Sequence, residues 1–468
     1  MNDKSCIFIL ADGARADLFE YLLDKGELPN ISEYIVDRGS YSNGVTVFPS
    51  TTGPAYTPYL LGKFPGRCNL PGIRWFDRYQ FEQTRFSLKG IRSYIGPETY
   101  LINSDLDTNG TPTLFELLPR SISILNEITR GLSSSRDKTK YKKAYLKIKS
   151  HFTDSSNEVD EAGGRLLIDS LKENPEFLFC VFMGIDTYSH QLHPFHKKVV
   201  NSYKFIDSYV GEIASYLKKE NRLDNTLIAI GSDHGLTPTH SHFDTPLFME
   251  KLGYKTLYHT NILNHLIDAD ASVMISGNSM AHIYIKSKDG WKRNAFMDET
   301  ENVVNELLGR NEIDIVAGIR SDSKIGIKSA RGEALAWNAN GNVMYQVVGS
   351  DPFGYKKLPK KLTPDSAYKH SYDTNYPDAL VQLLQLFESR RTGDLVISAK
   401  PGIDLRARHE SPEHCGSHGS LVKDHMMVPI VVSNKANSTF VRSSDIYPTI
   451  LKYLDIEIPP GIDGKPLI

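Results

Sequence analysis

Three short apolar runs in this chain each deliver an aspartate just beyond their last apolar residue. Cys6–Ala11 is followed by Asp12, Phe177–Met183 by Asp186, and Thr226–Ile230 by Asp233. Runs of this length that are apolar throughout, rather than at alternate positions, predict strands buried on both faces. Such strands need covering helices, and helical spacing lies beside them. Leu18, Tyr21 and Leu22 follow the first run, while Val210, Ile213, Ala214 and Leu217 separate the second from the third. Met427–Val432 predicts a fourth strand. The expected fold is α/β, a largely parallel central sheet flanked by helices on both faces. Ligands of open α/β sheets bind beyond the carboxyl ends of the strands, so three carboxylates delivered to that edge are expected to converge.

Imidazoles accompany the carboxylates. His190 stands four residues after Asp186, a spacing that puts both side chains on one face of a helical turn. His234 is adjacent to Asp233 in SDHG, where Gly235 permits close backbone approach, and His418 sits in GSHGS. Singly, each has a bland reading as a turn residue or a structural hydrogen bond. Together, three Asp and three His make six ligands of intermediate hardness, suited to two divalent ions, Zn²⁺ first and Mn²⁺ second, over Ca²⁺. Two neighbouring ions can clamp the attacking and leaving oxygens of a phosphoryl transfer. Thr52 in FPSTTGP offers a hydroxyl nucleophile, with Ser50 and Thr51 beside it leaving the register open.

At 468 residues the chain exceeds one simple core. The motifs place a catalytic core in residues 1–242 and 402–468. Residues 243–401, with strand-like runs at Ala281–Ile285 and Val343–Val348, form an inserted cap subdomain expected to carry substrate selectivity. A second insertion, helical and basic, is expected from about Arg85 to Glu161, with the lysine-rich Ser133–Lys149 as a solvated face. The 54 basic and 56 acidic side chains nearly cancel, which supports neither a nucleic-acid surface nor an acidic-membrane footprint. Four widely spaced cysteines predict reduced thiols in a cytoplasmic protein. The first apolar run is too short for a signal peptide, and no run approaches membrane-spanning length. Nothing specifies an oligomeric state.

The ordered series DG, PSTTGP, D-x-x-x-H, SDHG and GSHG, closed by SSDIYPTILKYLDIEIPPGIDGKPL, resembles the alkaline phosphatase superfamily, nearest its nucleotide pyrophosphatase/phosphodiesterase group. The resemblance spans nearly the whole chain apart from the two inserted stretches. It implies that Asp186, His190 and His418 hold one zinc, and that Asp12, Thr52, Asp233 and His234 hold the other. It also implies Thr52 as the nucleophile, since the following Gly53-Pro54 matches the family's position, and a phospho-threonine intermediate. The implied reaction is hydrolysis of a phosphodiester or pyrophosphate bond in a small phosphorylated metabolite, nucleotide-like or a phospho-alcohol.

Two departures qualify the substrate. The family's nucleophile segment continues Pro-Asn-His, whereas Ala55 and Tyr56 follow Pro54 here. Where the family places a phosphate-contacting Asn, this chain reads LPGIRWFDR. Arg74 there suits a phosphoryl group with more free oxygens, which keeps phosphomonoester or phosphonate hydrolysis as the alternative. Gly53, Arg74 and Trp75 are the candidate substrate contacts, with a surface or structural charge as the equal reading of Arg74; Trp75 and Phe76 can stack on a base or sugar, although core or cap packing is the more common use of such residues. Sulfatase chemistry is disfavoured, because Thr52 cannot become formylglycine. Cys415 is expected to be a free buried thiol and Asp445 to cap the last helix; His193, His196, His240 and His242 receive no role.

Overall fold

The structure, a computed structural model, describes residues 4–84, 90–153, 155–259, 269–406 and 413–468. Its central sheet has six strands: β1 (Ser5–Ala11), β2 (Ser40–Val45), β3 (Ser121–Ile124), β4 (Phe177–Phe182), β5 (Thr226–Gly231) and β6 (Met427–Val432), in the order β2-β6-β5-β1-β4-β3. β1 lies parallel to both β4 and β5, and β3 parallel to β4. Every residue of β1, β4 and β5 is buried. Successive side chains of a strand point to opposite faces, so both faces are covered, as runs without polar alternation require. The register pairs Ala11 with Phe182 and Leu10 with Gly231. The three strands therefore end level, and the aspartates that follow them emerge at one height.

Helices flank this sheet. Lys197–Lys219 buries Val199, Tyr203, Ile206, Val210, Ile213 and Leu217, a continuous stripe at three- and four-residue spacing. Two features add to the expected pattern. Met427–Val432 is a strand of the sheet but runs antiparallel to β5, and β2 runs antiparallel to it in turn. The stretch from about Arg85 to Glu161, whose residues 85–89 and 154 lie outside the described residues, is not purely a helical insertion, because it supplies the edge strand β3. Its sequence, SISI, hides the strand behind two serines, yet all four residues are buried. Ser121 Oγ is accommodated there by donating to Leu118 O at 2.6 Å.

Residues between Thr256 and Ala399 build a separate nine-stranded sheet, mostly antiparallel, including the expected runs as Met280–Ile285 and Asn342–Val348. It packs directly on the segment ahead of Thr52. Val47, Phe48 and Phe64 share a buried cluster with Leu380, Leu383 and Leu386 of the helix Ala379–Leu386 and with Ile315, Ala336 and Tyr345 of the sheet. Buried Gln382 and Gln385 from that helix bond the two sides of Phe48: Gln382 Oε1 accepts from its N–H at 3.0 Å and Gln385 Nε2 donates to its carbonyl at 2.7 Å. The four cysteines are unpaired; Cys6, Cys68 and Cys180 are buried, whereas Cys415, expected to be buried, is exposed. Asp445 does not cap the last helix with its side chain. Its carboxylate instead accepts from the backbone N–H groups of Arg442 and Lys465, both at 2.8 Å, tying the chain's tail to the helix entrance.

Candidate metal centre

Each strand end presents its ligands through a short, well-tied segment. Asp12 N donates to Phe182 O at 3.0 Å and Asp186 N to Asp12 O at 3.1 Å, stitching the exits of β1 and β4 together. Gly13 N donates to Asp233 Oδ1 at 3.2 Å, and Thr46 Oγ1 to the Asp233 carbonyl at 2.6 Å. Gly13 (φ 76°) leaves no room for a side chain, since a Cβ there would stand 2.9 Å from Asp186. Asp186 and His190 lie on the helix Gly184–Gln191, as their spacing predicts.

The six residues converge in two adjacent sets of three. The ligand atoms of Asp186, His190 and His418 lie within 4.8 Å of one another, as do those of Asp12, Asp233 and His234. Asp186 Oδ1 stands between the sets, 3.2 Å from His190 Nε2, 3.9 Å from His234 Nε2 and 4.0 Å from His418 Nε2. The rings of His234 and His418 stack with centroids 3.6 Å apart and planes 4° off parallel.

The ring orientations decide what the cluster can bind. His190 Nδ1 lies 2.7 Å from Gly416 O, His418 Nδ1 2.8 Å from Ser50 O and His234 Nδ1 3.1 Å from Gly235 O. A carbonyl only accepts, so each Nδ1 carries the hydrogen, and in the neutral ring each Nε2 turns a lone pair toward the carboxylates. Asp186 Oδ1 and Asp233 Oδ2 are buried with no hydrogen-bond partner. Lone pairs facing lone pairs in a buried site repel unless cations lie among them, so this donor set fits divalent ions.

The charge states are not uniform across the cluster. Burial, reinforced by His234, pushes His418 well below the ordinary imidazole value and keeps it neutral. Burial opposes the ionised forms of Asp186 and His190, but their mutual attraction prevails, lowering the Asp186 carboxyl and raising His190. Asp233 is raised by burial, offset in part by His234.

Thr52 borders this cluster, half-buried, its Oγ1 3.5 Å from Asp12 Oδ1 and 3.4 Å from His234 Nε2. Gly53 follows in a positive-φ conformation (88°), where a Cβ would stand 2.5 Å from Glu127 Oε2.

A profile of the type I phosphodiesterase / nucleotide pyrophosphatase family matches residues 6–421. The chain belongs to this family. Its family is one of phosphoric ester hydrolases, and its fold is alkaline phosphatase-like. Phosphonoacetate hydrolase from Sinorhizobium meliloti 1021, solved with phosphonoacetate, superposes with a TM-score of 0.59 at 15% identity, covering 97% of this chain and 96% of that one. Murine ectonucleotide pyrophosphatase / phosphodiesterase 5 superposes at 0.56 with 13% identity, covering 98% of this chain and 96% of that one. GPI ethanolamine phosphate transferase 1 from Chaetomium globosum is 30% identical over 80 residues, a stretch that spans 17% of this chain and only 9% of the fungal protein.

In this phosphodiesterase-family chain the candidate substrate residues divide. Trp75 is 1% exposed, donates its indole N–H to Tyr94 OH at 3.1 Å and lies under the Arg391 guanidinium at 4.1 Å. Phe76 is buried among Phe81, Tyr284 and Trp291. Both are core residues, the more common of the two uses expected of them, and neither offers a stacking face. Arg74 is buried too, donating from Nε to Ser93 Oγ at 3.3 Å and from its guanidinium to Ile275 O at 3.3 Å. Ile275 lies just before the turn at Gly277, whose carbonyl accepts from the backbone N–H of His418 at 3.0 Å.

Two buried groups escaped the sequence reading. Tyr56, in place of the family's His, donates its hydroxyl to Asp12 Oδ2 at 3.3 Å. Asp160 receives the N–H groups of Met183 and Gly184, both at 2.8 Å, and so closes the N-terminus of the helix that bears Asp186 and His190. The signal for Asp160 is periodic: it shares a buried stripe with Gly163, Gly164, Leu167 and Leu171. Nothing in the sequence marks Tyr56 as a partner of Asp12, because that contact depends on tertiary packing.

Proposed function

We propose that this enzyme hydrolyses a phosphodiester or pyrophosphate bond of a small phosphorylated metabolite through a phospho-threonine on Thr52. The observation that carries the reading is the Thr52 hydroxyl, set beside Asp12 and His234 at the rim of a six-ligand cluster whose imidazoles all present Nε2. Asp186, His190 and His418 would hold one divalent ion, and Asp12, Thr52, Asp233 and His234 the other, with zinc suiting this nitrogen-rich set. Bound there, such ions supply positive charge that favours the threonine alkoxide and the departing oxygen.

The chain's own residues account for the rest. Thr52 Oγ1 attacks phosphorus in line; the Thr52 O–P bond forms, the ester or anhydride P–O bond breaks with its electron pair on the departing oxygen, and the threonine proton passes by way of solvent to that oxygen. Water then attacks the phospho-threonine, the Thr52 O–P bond breaks, and the hydroxyl is restored. Tyr56 holds Asp12 from behind, and Asp160 holds the helix that aims Asp186 and His190. The four unpaired cysteines fit a reducing compartment, the cytoplasm.

A second reading, hydrolysis of a phosphomonoester or phosphonate, is supported by the buried Arg74 guanidinium near the loop that holds His418. Turnover of p-nitrophenyl phosphate against bis- and thymidine-linked p-nitrophenyl diesters separates the two, run with chelator and zinc add-back. Zinc-restored preference for the diesters is the expected result. Monoester preference would transfer the enzyme to the second reading, and metal-independent turnover would overturn both.

A further inference from the structure

His425 belongs to neither ligand set, yet its fully buried ring touches the loops that carry both. It sits in the short helix Lys423–Met426 that leads from GSHGS into β6. Its Nδ1 accepts from the backbone N–H of Ser420 at 3.2 Å and lies 2.8 Å from Ser420 Oγ, two residues beyond His418. Its Nε2 lies 2.9 Å from Thr237 Oγ1, three residues beyond His234. A backbone N–H only donates, so the lone pair is on Nδ1 and the hydrogen on Nε2, the reverse of the three ligand histidines. Burial, helped by the charges of Arg15 and His234, keeps the ring neutral and free to hold this pattern.

The clamp extends through the backbone. Gly235 N, within SDHG itself, donates to His425 O at 2.9 Å. A Cβ on Gly235 would stand 2.2 Å from Asp424 O, so only glycine permits the approach. Thr237 Oγ1 also receives Gly402 N at 3.3 Å, where the chain returns from the insertion. A short antiparallel ladder, Gly416–Ser417 on Thr237–Pro238, joins the same two loops.

We propose that His425 is a positioning residue: acting through Thr237 and Ser420, it fixes the separation of the His234 and His418 loops and so the spacing between the two ligand sets. This rests on the assignment of those sets to divalent ions. Partners that orient metal ligands typically contribute about 10–100-fold in metal affinity, whereas a ring that merely fills the core contributes only to folding stability.

The test is zinc affinity by competition with a chromogenic chelator, for the parent, His425→Phe, His425→Gln and Thr237→Val, beside the melting temperature of each chelator-treated protein. His425→Phe and Thr237→Val are expected to weaken zinc binding by about 10-fold or more. His425→Gln, whose amide carries an acceptor and a donor on neighbouring atoms, is expected to recover much of the loss. The double variant His425→Phe with Thr237→Val should bind no more weakly than His425→Phe alone, since both changes cut one connection. Parent-like zinc affinities with lowered melting temperatures would overturn the inference and leave His425 a core residue. If His425→Phe does not fold, Thr237→Val, which removes a single hydroxyl, decides the matter. A parent that binds no zinc would overturn the ligand assignment itself, whereas unaltered variants of a zinc-binding parent would overturn the role of His425 alone.

Discussion

Three hydroxyls stand in a row at Ser50, Thr51 and Thr52, and their surroundings distinguish them. Ser50 Oγ donates to Ser420 O at 3.3 Å, and its carbonyl orients His418. Thr51 Oγ1 is buried with no hydrogen-bond partner. Thr52 Oγ1 points toward Asp12 and His234. Thr52→Ala is therefore expected to lower turnover by at least about a thousandfold, as loss of a nucleophile does, with zinc content by atomic absorption nearly unchanged because Asp12, Asp233 and His234 remain. Thr51→Ala removes an oxygen that bonds to nothing and should leave turnover near the parent value. The reverse result would shift the nucleophile by one residue. By residue type the three are alike, and only the match of Gly53-Pro54 to the family's position singles out Thr52, because a hydroxyl's direction is set by backbone torsions around Gly53 and by packing against Phe48, neither of which residue type reveals.

The helix Gly184–Gln191 shows how an element is aimed. Its ligand spacing was legible, since Asp186 and His190 need only one helical turn to share a face. Its anchoring was not, because Asp160 comes from a different helix, Ser156–Leu171. Burial pushes the Asp160 carboxyl up to about 7 despite the two amide hydrogen bonds, against about 3.9 in an unfolded chain. A raised folded value means that the native state holds the proton more tightly. The stabilisation it brings is thus complete below about pH 4 and is lost as pH rises through about 7. The unfolding free energy of the parent minus that of Asp160→Asn should accordingly fall across that window and level off above it, measured by denaturant titration of chelator-treated protein. A difference that stays flat would mean that Asp160 titrates as an ordinary exposed carboxylate. The strands show the same division. β1, β4 and β5 declared themselves by unbroken apolar runs, while β3 did not, because a buried serine that bonds to a nearby carbonyl reads as a surface residue.

At the scale of the whole molecule, the nine-stranded sheet reaches the candidate metal centre itself. The turn between its strands Ala271–Ser276 and Met280–Ile285 grips His418 by its backbone: Ser279 N donates to His418 O at 2.8 Å, and His418 N to Gly277 O at 3.0 Å. Gly277 has a φ of 64°, and a Cβ there would stand 2.8 Å from His418 Nδ1. The centre is thus assembled from the central sheet's carboxyl edge, the insertion's hairpin and the loop after it, so ion binding should stabilise the entire fold. Zinc at about a hundred times its dissociation constant would add about 2.7 kcal/mol. Chelation should lower the melting temperature, with zinc restoring it; an unmoved transition would show that the sets do not bind zinc in the folded protein. Among the described residues no helix is long and apolar enough to cross a membrane.

By itself the sequence determined the central strands, the edge at which they deliver polar groups, and the six residues whose ligand atoms meet there. These are local properties: a run's apolarity, a residue's place just past it, a spacing of one helical turn. Tertiary structure decided the rest. It set the hydrogen position on each Nδ1 through carbonyls of Ser50, Gly235 and Gly416, the different surroundings of the three hydroxyls, and the support from Tyr56 and Asp160. It also buried Trp75 and Phe76, which a sequence alone shows only as aromatic. A hydrogen bond's partner and a side chain's exposure are properties of the surroundings, and the surroundings exist only once distant segments have packed together.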